Sequence, residues 1–69
     1  MSANNYILVK EKASDAYEVS ERDFEGGMII EDVGVFKTLR NAMRGAEKHI
    51  SESEEGIEYG IRFSFNDKK

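Results

Sequence analysis

Residues 36–51 are the only stretch of this chain with the periodicity of a long amphipathic helix. That limits the fold to what a single helix can cover. Apolar residues fall at Phe36, Leu39, Ala42, Met43, Ala46 and Ile50, in steps of three and four that place them on one face. At about 100° per residue they span roughly 120°, the width of a helix lying on a core. Thr38 is the expected N-cap, because its hydroxyl can accept from the unpaired N–H groups of the first turn. Asn41, three residues further on, does not complete a capping box. Gly45 interrupts the pattern at a cost of about 1 kcal/mol relative to Ala. It reads as tolerated rather than as a point of close backbone approach. Gly56 supplies a stop after an acidic run, with an earlier end near residues 51–53 as the alternative.

The rest of the chain reads as strands for this helix to cover. Tyr6, Ile7, Leu8 and Val9 form a short β-rich apolar run, whose continuity leaves its inward face unassigned. Ala13, Ser14 and Asp15 carry turn chemistry. Tyr17 and Val19 then alternate with Glu18, Ser20 and Arg22, as in a half-buried strand joined to the first as an antiparallel hairpin. Asp23, Phe24, Glu25, Gly26 and Gly27 make the second turn, with glycines free to take positive φ. A third strand runs from Met28 to Val35 or Phe36, with Gly34 as a bulge or bend. Beyond the helix, Ile57, Tyr59, Ile61, Phe63 and Phe65 alternate with polar residues and Gly60, the pattern of a strand with one face on the core and one in water. The expectation is a single α+β domain over residues 1–69, with order β-β-β-α-β. Its four-stranded antiparallel sheet would have the helix packed on one face. On this reading Ile61→Asp unfolds the domain.

A chain of 69 residues with no Cys has a core near the lower limit of sufficiency and no disulfide or thiolate–metal site to supplement it. A homodimer is one remaining way to bury more apolar surface. No run reaches the length of a membrane span, and residues 1–5 do not resemble a signal peptide. A cytoplasmic location is therefore the default expectation. The net charge of −4 argues against broad nonspecific binding to DNA.

Charge is unevenly placed. Lys37, Arg40, Arg44 and Lys48 fall within an arc of about 80° on the helix wheel. Glu47 is the only acid among residues 36–51, so that segment carries +3 on a chain whose total is −4. These four cations are the candidate partner-binding residues. They could follow a nucleic-acid backbone or meet an acidic protein surface, although no aromatic residue shares their face for base stacking. A solvated helix face has the same appearance. Glu11, Glu18, Glu21, Asp23, Glu25, Glu31 and Asp32 offer the converse, a negative surface able to dock on a basic protein, against the plainer reading of solubility charge.

Chemistry is poorly supplied. The only His is His49, on the border of the apolar face near the helix C-terminus. It reads as an edge-of-core or dipole-facing residue rather than a catalytic one. Glu52, Glu54 and Glu55 lack the Gly and alternating oxygen ligands of a calcium loop. Gly26 and Gly27 lack the Gly-Lys-Ser/Thr ending of a phosphate-binding loop. No catalytic residue, metal ligand or cofactor is assigned, and the chain reads as a non-enzyme.

The segment Thr38-Leu39-Arg40-Asn41-Ala42, followed by Ala46 and Ile50, resembles the helix of HicB-type antitoxin domains. The order of three strands, helix and strand also looks like that family's partial double-stranded-RNA-binding-like fold. The resemblance implies a small module that binds and blocks a toxin ribonuclease and has no chemistry of its own. Glu25-Gly26-Gly27-Met28 stands where the family carries a Pro-Gly-Cys type turn. The functional expectation is a non-enzymatic protein-binding module, an antitoxin-like or phage-encoded inhibitor of a host protein. The alternative is a small RNA- or DNA-binding module using the basic helix face.

Overall fold

A computed structural model describes residues 5–53, 57 and 60–65. The elements follow in the order β1 (Asn5–Ala13), β2 (Ala16–Asp23), β3 (Ile29–Phe36), α1 (Leu39–Glu52) and β4 (Ile61–Ser64). Together the strands make one four-stranded sheet in the order β3-β2-β1-β4.

β1 and β2 form the expected antiparallel hairpin, closing at Ala13↔Ala16 around Ser14 and Asp15. Its register settles which way the first apolar run faces. Val9 pairs with Val19 and Ile7 with Glu21, and directly opposed residues share a sheet face. Ile7, Val9 and Val19 are fully buried beneath the helix, whereas Tyr6 and Leu8 are half-buried on the other face. The turn after β2 is closed by hydrogen bonds from Gly27 N–H to Asp23 O (2.7 Å) and from Asp23 N–H to Met28 O (2.9 Å). Gly27 adopts φ +71° there, a region that residues with a Cβ seldom occupy.

Ala42 and Ala46 lie fully buried on Ile7, Val9 and Val19, with Tyr17, Val33, Phe36, Leu39, Ile50, Ile57 and Ile61 packed around them. Thr38 caps the helix as its sequence suggests, its Oγ1 accepting from Asn41 N–H at 3.1 Å. The helix therefore begins at Leu39, and Phe36 belongs to β3. Its ring lies under Gly45: a Cβ at that position would stand 2.9 Å from Phe36 Cε1 and closer still to Cζ. Gly45 is thus a point of close approach, not a tolerated break.

The sheet is mixed rather than purely antiparallel. β4 pairs with β1 in parallel register, Ile7↔Ile61 through Lys10↔Ser64. Chain direction explains this. β1 and β3 run the same way as alternate members of a meander, and α1 returns the chain to its starting end. β4 must then run with β3, and so with its neighbour β1. β4 is also shorter than the alternation over residues 57–65 suggests. Gly60 turns at φ +76° just before it, while Tyr59 lies outside the described residues. Ile61 packs against the core, but Phe63 and Phe65 remain 43% and 56% exposed. The helix packs over β1, β2 and β3, leaving those two rings uncovered and stacked on each other at 5.9 Å. No helix among the described residues is long and apolar enough to cross a membrane.

Candidate functional site

Arg40, Arg44 and Lys48 lie at successive four-residue steps along α1 and are all exposed. Lys37 is exposed too, but it precedes the N-cap and stands in the bend ahead of the helix. The row does not end in open basic surface. Lys48 lines a cavity at the helix–sheet seam together with Glu31, Asp32, His49 and Glu52.

A second feature runs along β3, an edge strand of the sheet. Met28 is 73% exposed, Val35 65%, Ile30 55% and Ile29 50%. Glu25, Glu31 and Asp32, in and just before this strand, are exposed as well. The β2–β3 register shifts between Val19 and Ser20 and again between Glu21 and Arg22. The second shift leaves Ile30 as the extra residue between the pairs Glu21↔Glu31 and Arg22↔Ile29. Such irregularities bend an edge strand and re-aim its side chains. They also mean that side chains over residues 29–36 follow no single two-residue period across the two register shifts.

On the face away from the helix, the Arg62 guanidinium carbon sits 5.3 Å from the Tyr6 ring centroid and 5.2 Å from that of Phe24. The two rings meet edge-on at 6.4 Å. This cation–π bridge ties β4 to the turn after β2 across β1.

The third feature lies where α1 crosses β2 and β3. His49 Nε2 is 2.9 Å from Glu21 Oε1, a hydrogen bond in which the imidazole N–H donates. Both side chains are largely shielded, at 16% and 12% exposure. Asn5 Nδ2 donates to the other carboxylate oxygen, Glu21 Oε2. Glu31 stands opposite Glu21 in the β2–β3 register. One ligating atom from each of Glu21, Glu31 and His49 lies within 4.8 Å of the others. They line a cavity of about 220 Å³ with Glu52 and Ser53. Sequence reasoning placed His49 at the edge of the core but could not join it to Glu21 or Glu31, because their meeting depends on strand register and helix docking. Glu54 and Glu55, the rest of the acidic run after the helix, lie outside the described residues.

No protein-family model, curated protein or solved structure matches this chain.

Proposed function

We propose that this protein is a non-enzymatic binding module that takes an extended, basic and apolar segment of a partner protein along the outer edge of β3. The observation that carries this reading is the exposure of Met28, Ile29, Ile30 and Val35 in and beside one edge strand. Natural proteins shield edge strands, because unpaired backbone groups beside apolar side chains recruit another chain. Partners that add a strand draw affinity from main-chain hydrogen bonds and specificity from alternate side chains. Glu25, Glu31 and Asp32 beside those apolar residues would steer a basic segment to the edge and disfavour an acidic one. An antitoxin-like inhibitor is one form of this activity, and it is the form that the helix resemblance implies.

The test is affinity capture from the native host, with co-purified protein and nucleic acid both identified, using the wild type and two double variants. Met28→Lys with Ile30→Lys changes exposed side chains only. It should keep the fold and lose the partner, whereas Arg40→Glu with Arg44→Glu should retain it. The reverse result, with a steep loss of binding as salt rises, would replace this reading with nucleic-acid binding through Lys37, Arg40, Arg44 and Lys48.

A further inference from the structure

We infer that Glu21, Glu31 and His49 form a binding site for a divalent transition metal of the zinc class. The inference shares Glu31 with the β3 edge reading but does not depend on it, since it rests on the seam between α1 and the sheet and its test reads zinc rather than a partner. Three elements each supply one ligand: Glu21 from β2, Glu31 from β3 and His49 from α1. Zinc bound at about 2.0–2.2 Å by nitrogen and carboxylate oxygen places tetrahedral ligand atoms roughly 3.3 Å apart. His49 Nε2 and Glu21 Oε1, 2.9 Å apart, are already near that separation. The Glu31 side chain is exposed and can rotate to close the third position.

The charges point the same way. Glu21 and Glu31 oppose each other across the β2–β3 ladder, an arrangement that is destabilising when both are ionised and nothing lies between them. A third carboxylate, Glu52, lines the same cavity. Among the described residues Glu31 makes no ion pair, although Lys48 lines the adjoining cavity. A divalent cation would relieve both carboxylates at once. Glu21 is already oriented for such a role. Its second oxygen accepts from Asn5, a residue only 7% exposed, as outer partners of metal-binding carboxylates do.

The donor set also defines the class of ion. An imidazole with carboxylates and no thiolate suits zinc and its first-row neighbours, whereas calcium and magnesium take oxygen ligands. Glu52 or water from the cavity would complete the coordination. Metal would take the lone pair of His49 Nε2 in place of the hydrogen bond to Glu21. The ring proton would then move to Nδ1 through solvent, and a net proton would be released only where the imidazole starts out protonated.

The experiment uses the full chain, stripped with a chelator and titrated with zinc chloride by calorimetry. Imidazole nitrogen NMR follows His49 in parallel. The expected result is one saturable zinc per chain, a shift of the His49 Nε2 resonance and no competition from excess calcium. Glu31→Gln alters an exposed residue and should stay folded while weakening zinc binding roughly tenfold or more. Any of three results overturns the inference: no one-to-one uptake, uptake that leaves the His49 resonances unmoved, or equal affinity in Glu31→Gln. Any of these would make His49–Glu21 a plain hydrogen bond at the edge of the core.

Discussion

Replacing Gly45 with Ala removes a residue that costs a helix interior about 1 kcal/mol, so in an isolated helix the change would stabilise. In this protein Gly45→Ala is expected to destabilise, because the new methyl group enters the Phe36 ring. Overpacking of a closed contact costs about 1–3 kcal/mol, which outweighs the propensity gain. Urea denaturation should show a lower midpoint for Gly45→Ala. The loss should shrink in a Phe36→Leu background, where the ring is gone, and a double-mutant cycle measures that coupling. The N-cap at Thr38 was legible because capping is a local event. The Phe36–Gly45 contact was not. Phe36 matches the helix period by position, yet it belongs to a strand that meets the helix only after the chain has turned. The same holds for His49 with Glu21 and Glu31, whose approach depends on register and docking.

Among the elements, β4 shows most clearly what alternation can and cannot tell. Its two-residue period correctly separates Ile61 and Phe63 from Arg62 and Ser64, which the register with β1 places on opposite sheet faces. The period says which side a residue faces, but not whether anything covers that side. Ile61 packs against the buried cluster, whereas Phe63 stays 43% exposed. Ile61→Asp should therefore unfold the domain, since it places an unpaired carboxylate against the core. Phe63→Ser should cost no more than about 1 kcal/mol, in the range of changes to partly exposed positions. Circular-dichroism melting of the two variants checks the contrast; similar losses in both would mean that β4 is held more evenly than its exposure indicates. The parallel pairing of β4 was implicit in the order β-β-β-α-β once chain direction is counted through the helix. Assigning its neighbour required the fold itself.

At the scale of the whole molecule the core is small. Among the described residues the fully buried apolar side chains are Ile7, Val9, Val19, Ala42 and Ala46, and alanines bury little area. A domain of 69 residues with so few large buried groups has little reserve, since total stabilities of about 5–15 kcal/mol are usual even for well-packed domains. Ile7→Ala should cost about 2–5 kcal/mol and leave much of the protein unfolded at 25 °C, as read by chemical denaturation. The same scarcity explains how much a ligand can matter. Anything that binds only the folded chain, at the β3 edge or at the seam, raises its apparent stability by mass action.

The pairing of β1 with β4 joins an early strand to a late one, with Ile7 beside Ile61. Contacts so distant in sequence close the longest loop in the fold, and such closures slow folding. During folding, the hairpin, β3 and α1 can assemble before β4 pairs with β1. Throughout that interval the β1 edge beside Ile7 and Val9 is a bare template for any passing strand. The hazard for this protein therefore lies in the time between the first strand's appearance and the last strand's arrival. Arg62, held between the rings of Tyr6 and Phe24, is the latch that ends it.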